Sequence, residues 1–164
     1  MKSDINTFRD PLLCTDGTII GFYEREFYMF SNFSSFQVRW HDQLWPTSEH
    51  AYQAAKFFET DKAITEQIRT ALSAHDAYHL AKKYKDQVQS NWNEVKINAM
   101  YDICRHKLQQ HSYIQDHLLS TNNELIVEDS PNDNFWGWGE DQNGRNELGK
   151  IWMRLREELR SGEL

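Results

Sequence analysis

Cysteine, proline and glycine are all scarce in this 164-residue chain, at two, three and seven residues. The two cysteines, Cys14 and Cys104, are far apart and in no metal-ligand spacing, which excludes a disulfide-stapled scaffold and a cysteine zinc site. They read as reduced thiols of a cytosolic protein. No apolar run approaches the ~18 residues needed to span a bilayer. The opening MKSDINTFRD lacks the apolar stretch of a secretory signal. A cytoplasmic protein with no membrane partner is therefore expected. Long basic runs are also missing and the net charge is −7, which disfavours sequence-independent binding to a nucleic-acid duplex. There is no GxGxxG, no GxxxxGK[ST] and no GxSxG, so dinucleotide, P-loop and nucleophile-elbow readings fall away. Among seven histidines, His75 and His79 have i,i+4 spacing but lack the Glu of HExxH, and His106, His111 and His117 follow no ligand pattern. Neither a metal nor a cofactor is expected.

What the chain does have is aromatic residues, at 13%, within a hydrophobic content of 39%. That is enough to bury one core without crosslinks, and the length fits one domain. Residues 1–17 read as a loosely attached arm, with the folded domain spanning 18–164. Thr18–Tyr23 reads as a strand after the Asp16-Gly17 turn, and Gln37–Trp40 with Gln43–Trp45 as a hairpin across His41-Asp42. The segment FYMFSNFSSF (27–36) is too irregular for a helix and too aromatic for a solvent loop. It is either a core-edge loop or the lip of a pocket, with Asn32 supplying hydrogen bonds.

The middle of the chain is helical. Ile64, Ile68, Ala71 and Leu72 form one apolar face, and Ala77, Leu80, Ala81 and Tyr84 another. Trp92–Leu108 carries two stripes, one through Trp92, Val95, Ala99 and Ile103 and one through Ile97, Met100, Cys104 and Leu108. Tyr113–Leu119 adds a short helix, ELIVE (124–128) a strand, and Asn146–Arg160 a closing helix. The expected class is α+β, a single helix-dominated domain with a small β-sheet.

The stretch WPTSEHAYQAAKFF (45–58) is the centre of the reading. Pro46 and Thr47 suit a helix start, with Thr47 placed to cap free N–H groups. At about 100° per residue, Glu49, Tyr52, Gln53 and Lys56 share one face. A carboxylate, an aromatic, an amide and an amine in one stripe are the parts of a polar pocket wall. Glu suits general acid–base work, and a Lys of lowered pKa can attack an aldehyde-level carbon. A second constellation lies in 129–144, DSPNDNFWGWGEDQNG. There Glu128, Asp129 and Asp133 follow a buried-looking strand, and Trp136-Gly137-Trp138-Gly139 alternates flat faces with backbone that can approach a ligand. A plain Asx-type turn over Asp129-Ser130-Pro131-Asn132 and core tryptophans are the competing readings.

Five segments in this order resemble the NADAR family, which includes YbiA-like N-glycosidases: FYMFSNFSSF (27–36), WPTSEHAYQAAKF (45–57), Trp92 with Lys96 and Met100, IVEDSPNDNFWGWG (126–139) and GRNELGKIWMRLR (144–156). The likeness spans about residues 19–160. Ala51 and Tyr52 stand where the family often has two aromatics. The resemblance implies hydrolysis of an N-glycosidic bond between ribose and an exocyclic amine, in ribosylaminopyrimidine phosphates of riboflavin biosynthesis, with release of ribose 5-phosphate. It also implies a lysine Schiff base, and Lys56 is the matching position. Glu49 would then move the proton that opens the ring. Asp133 and Glu128 would hold ribose hydroxyls or face developing positive charge. Trp92 and Trp136 would stack on the heterocycle and Asn32 would bind its edge. Lys96 or Arg156 would meet the phosphate, with Gly137 and Asn146 completing the substrate-binding set. Two alternatives stay open. One is a hydrolase removing ADP-ribose from guanine in DNA or RNA, for which a basic rim is expected. The other is a non-catalytic ADP-ribose or NAD-binding module, against which the presence of both Glu49 and Lys56 argues.

Overall fold

The computed structural model describes residues 19–23 and 27–164; the expected arm over residues 1–17, and Cys14 with it, lies outside them. Element order is β1 (Ile19–Phe22), β2 (Val38–Trp40), β3 (Gln43–Trp45), α1 (Ser48–Ala55), α2 (Lys62–Arg69), α3 (Ala74–Lys83), α4 (Trp92–Gln110), α5 (Ser112–Ser120), β4 (Leu125–Glu128) and α6 (Glu147–Ser161). The class is α+β and helix-dominated. In place of one small sheet, the described strands form two pairs: β1 parallel to β4, with Ile19 opposite Leu125 and Phe22 opposite Glu128, and the β2–β3 hairpin.

Helix α1 lies at the centre. Its start is capped as the sequence predicts: the Thr47 side chain accepts from the His50 backbone N–H. All eight of its residues are buried, although its composition is as polar as it is apolar. Ala51, Ala54 and Ala55 let α2, α3 and α4 pack closely against three sides. The polar stripe Glu49–Tyr52–Gln53–Lys56 takes the fourth side. Helices α2 and α3 are likewise set by side-chain caps. Asp61 accepts from Ala63 and Ile64 N–H, and Ser73 from Asp76 N–H.

The capping pattern also corrects one expectation. Ile64 and Ile68 are buried, but α2 stops at Arg69 and Leu72 falls in the turn before Ser73, 99% exposed. On α4, Met100, Ile103, Cys104 and Leu108 are fully buried, while Val95, Ile97 and Ala99 are only partly covered. Cys104 is a free, buried thiol. The end of α4 also repairs the open edge of β2. Gln110 accepts from the Arg39 N–H at 2.7 Å and donates to the Arg39 carbonyl at 2.9 Å, as a neighbouring strand would.

Two connections tie the chain's far ends to the 27–36 segment. Trp152 of α6 donates its indole N–H to the Phe30 carbonyl at 2.9 Å. Lys107 of α4, wholly buried, donates to the Ser31 carbonyl at 3.0 Å and the Ser34 hydroxyl at 2.8 Å. The segment is therefore both of the things its composition allowed. Met29 and Phe30 belong to the core, and the next three residues turn outward to a cavity.

Candidate active site

A cavity of about 600 Å³ opens between α1, the 27–36 segment, the start of α3 and the loop after β4. Its walls carry Glu49, Tyr52, Gln53 and Lys56 from α1, Asn32 from the segment, Met100 from α4, and Glu128, Asp133 and Trp136 from β4 and its loop. Seven of the residues named from the sequence thus meet on one hollow besides the Glu49–Lys56 pair: Asn32, Tyr52, Gln53, Met100, Glu128, Asp133 and Trp136.

The helix register explains the pair. Seven residues are two turns, so Glu49 and Lys56 share a face with their backbones roughly 10 Å apart along the axis. Lys56 is the residue that ends α1, and its carbonyl accepts from Gln89 N–H at 2.9 Å, which pins it to the entry of α4. Its ammonium lies 5.3 Å from the centre of the Tyr52 ring. Burial lowers the Lys56 pKa; Glu49 opposes that shift and the nearby Lys96 adds to it. Burial raises Glu49 to about 7, against the Gln53 hydrogen bond and the Lys56 charge and with help from Asp133. The Gln53 amide donates to Glu49 Oε1 at 2.7 Å. Glu128 is raised to about 8, by burial first and then by Asp133 and Glu49. The site thus holds two carboxyls that keep their protons near neutrality beside an amine that gives its proton up more readily than usual. That combination can protonate a leaving amine and present a nucleophilic nitrogen together.

The loop after β4 is shaped by its backbone bonds. Asp133 accepts from the N–H groups of Phe135 and Trp136 at 2.8 Å each, an Asx turn that begins just beyond the Asp129–Asn132 stretch where one is expected, and the same residue faces the cavity. Trp136 stands edge-on to Tyr52, ring centres 5.4 Å apart.

The remaining expected residues are placed elsewhere. Trp92 packs behind Tyr52 at 5.2 Å, so Tyr52 separates it from the hollow. Lys96 does not line the cavity; its amine lies 4.0 Å from the centre of the Phe135 ring and donates to Asn93 Oδ1. Gly137 supports the loop from behind, because a Cβ there would lie 2.5 Å from the Glu128 carbonyl. Asn146 clamps β4, accepting from Glu128 N–H and donating to the Ile126 carbonyl. Arg156 does not meet the cavity at all. Its guanidinium is buried against Thr121 Oγ1 at 2.8 Å and the Glu124 carbonyl at 2.9 Å. Arginine on an amphipathic helix gives no sequence cue as to which end of the domain it will tie.

Sequence reasoning gives no site role to Tyr28, Phe33 and Tyr78, which rim the hollow with His75, weighs His75 only as a metal ligand, and leaves Gln53 in the stripe without a role of its own. His75 and Tyr78 were hidden because nothing in the α3 pattern distinguishes an exposed aromatic from one facing a cleft. No cluster of three or more His, Cys, Asp or Glu placed to hold a metal occurs among the described residues, and no described helix is long and apolar enough to cross a membrane.

Comparison with known proteins supplies the family. The model of the NADAR domain family matches residues 21–160. The N-glycosidase Npun_R5314 of Nostoc punctiforme is 41% identical over 133 residues, covering 80% of this chain and 85% of that protein. The N-glycosidase YbiA of Escherichia coli is 37% identical over 144 residues, 87% of this chain and 89% of its own. The riboflavin biosynthesis protein PYRR of Zea mays is 36% identical over 156 residues, 86% of this chain but 25% of that longer protein. The solution structure of E. coli YbiA superposes with a TM-score of 0.81 at 36% identity, covering 90% of this chain and 88% of that one. The chain therefore belongs to the NADAR domain family and, with relatives of near-equal length named N-glycosidases, is a hydrolase of N-glycosyl bonds.

Proposed function

We propose that the enzyme splits the ribose–amine bond of ribosylaminopyrimidine phosphates, releasing ribose 5-phosphate through a Schiff base on Lys56. The observation that carries this reading is the pairing of Glu49 and Lys56 on one buried helix face, with the amine's pKa lowered and the acid's raised to about 7. Glycosylamines open to an imine. Lys56 Nζ, as the free amine, adds to C1; its two protons pass by way of Glu49 to the exocyclic nitrogen, whose bond to C1 breaks as the C1=Nζ bond forms, so the amine leaves and Glu49 regains its proton. Water then adds to the enzyme imine, and the C1–Nζ bond breaks to give the sugar aldehyde and the free lysine. Asp133 and Glu128 hold sugar hydroxyls, Asn32 reads the heterocycle edge and Trp136 supplies a flat face. Lys96, beside Arg145 on the same Phe135 ring, receives the phosphate. The relatives named for riboflavin biosynthesis support this substrate class.

The test is ribose 5-phosphate release from a freshly prepared ribosylaminopyrimidine phosphate. Wild type should release it, Lys56→Ala should not, and borohydride should fix sugar to wild type only. Turnover by folded Lys56→Ala would refute the Schiff base. Should wild type act only on ADP-ribosylated guanine, the riboflavin-linked substrate is wrong and the nucleic-acid reading takes its place.

A further inference from the structure

Gln53 lies between the acid and the amine on the same face of α1, four residues after Glu49 and three before Lys56. The residue is 3% exposed, and its two amide atoms have different fates. Nε2 donates to Glu49 Oε1 at 2.7 Å, whereas Oε1 is shielded from solvent and has no partner in the protein. Buried acceptors are nearly always paired, and one left alone costs free energy, so an orphan on a cavity wall signals a donor supplied from outside. Two further polar atoms of the same cavity lack a partner: the acceptor Asn32 Oδ1, on a residue 7% exposed, and Glu128 Oε2, on a carboxyl that keeps its proton near neutrality. The three come from separate elements, α1, the 27–36 segment and β4. The two amide oxygens demand O–H or N–H groups of the ligand, while the Glu128 carboxyl can give or accept a hydrogen bond. A phosphate oxygen there would set acceptor against acceptor, which agrees with a phosphate held outside, near Lys96.

The position of Gln53 narrows the demand. Resting on the proposed reaction, the carbon attacked by Lys56 and freed with the help of Glu49 must lie beside the residue between them. The donor nearest that carbon in a ribosyl group is the hydroxyl on C2. We propose that Gln53 is a specificity-determining residue that accepts the sugar 2-hydroxyl proton on Oε1 while its N–H orients Glu49. The enzyme is then selective for ribosyl over 2-deoxyribosyl amines. One N–H of the amide is committed to Glu49, and the atom left without any partner, the one the substrate can satisfy, is the acceptor Oε1. A 2-deoxy sugar therefore brings a methylene to a buried oxygen that stays unpaired.

The experiment compares kcat/KM for a ribosylaminopyrimidine phosphate and its 2-deoxyribosyl analogue, in wild type, Gln53→Leu and Gln53→Met. Wild type should prefer the ribosyl substrate by ~10- to 100-fold, the range for leaving one buried acceptor unpaired. In either variant the ribosyl rate should fall to the deoxyribosyl level, bringing the ratio near one. The Glu49-dependent limb of the pH profile should also move to higher pH, because the amide N–H that stabilises the carboxylate is gone. A role confined to packing would move neither the ratio nor the limb. Equal use of both sugars by wild type would overturn the inference while leaving the N-glycosidase reaction intact. A ratio preserved in a folded variant would do the same. No release from either sugar by wild type would instead sink the reaction on which the inference rests, and the inference with it.

Discussion

Replacing Glu49 by glutamine removes a titrating proton while keeping the side-chain shape and an oxygen that can accept from Gln53 Nε2. Burial places the Glu49 carboxyl at about 7 in the folded enzyme. One pH unit below that value about nine-tenths of molecules carry the proton, and one unit above about one-tenth do. If the protonated form delivers the proton to the leaving amine, kcat/KM should decline roughly tenfold per unit as pH rises beyond about 7. Lys56 works in the other direction: its free-amine fraction grows with pH, from a pKa lowered by burial. The two together give a bell-shaped profile with Glu49 as the alkaline limb. Glu49→Gln should reduce the rate by ~10²–10⁴ and erase that limb, leaving only the rise that belongs to Lys56. The assay is initial-rate release of ribose 5-phosphate across about pH 5–9 for both proteins, with thermal melts confirming the fold. An unmoved alkaline limb, or a near-normal rate in the variant, would show that Glu49 acts as a helix-start residue and nothing more.

Other perturbations probe the frame around the site. Lys107→Met should lower thermal stability by about 1–3 kcal/mol and raise KM, because the Ser31 carbonyl and Ser34 hydroxyl lose the amine that fixes the segment bearing Asn32; an unchanged KM in a melted-down variant would separate the two roles. Gly149→Ala should destabilise by about 1–3 kcal/mol or more, since its Cβ would lie 2.2 Å from the Ile126 carbonyl and 2.4 Å from the Asn146 amide; a wild-type melt would refute this packing. Arg156→Lys should weaken the α6–β4 tie to Thr121 and Glu124, seen as a lower melting temperature, while kcat stays put; a selective loss of phosphate affinity would return Arg156 to the substrate. Folding stability should fall between about pH 5 and 7, because Glu49 and Glu128, raised to about 7 and about 8, bind more protons folded than unfolded in that window. Denaturant titrations of the Glu49→Gln, Glu128→Gln double variant should show that slope flattened.

Much of the fold was legible because local signals agreed with one another. Thr47 stands one residue before the mixed pattern of α1 and caps it as expected, whereas the caps of α2 and α3, Asp61 and Ser73, emerge from the structure. The stripe on α1 followed from helical geometry alone, and its resemblance to family motifs added the chemistry. What could not be read depended on distant partners. The choice between cavity and core for Trp92 rests on the Tyr52 ring lying in front of it. The fate of Arg156 rests on a carbonyl 32 residues away in sequence. Lys107 sits on an apolar stripe of α4 where a lysine would ordinarily point to water. Only the folded position of Ser31 and Ser34 supplies the acceptors that let it be buried. Leu72 went the other way, apolar in pattern yet exposed, because the helix ended before it.

The complete enclosure of α1 has a consequence for how this protein can change. Its polar stripe occupies the position that a stability-optimised helix would fill with hydrocarbon, and Gln53 Oε1 stands there without a partner. Leucine at position 53 should therefore fold at least as well as glutamine once the lost bond to Glu49 is offset by apolar packing. A laboratory selection for heat resistance alone would drift toward such substitutions and return sturdy, inert proteins. Only a selection that also demands turnover would keep the stripe.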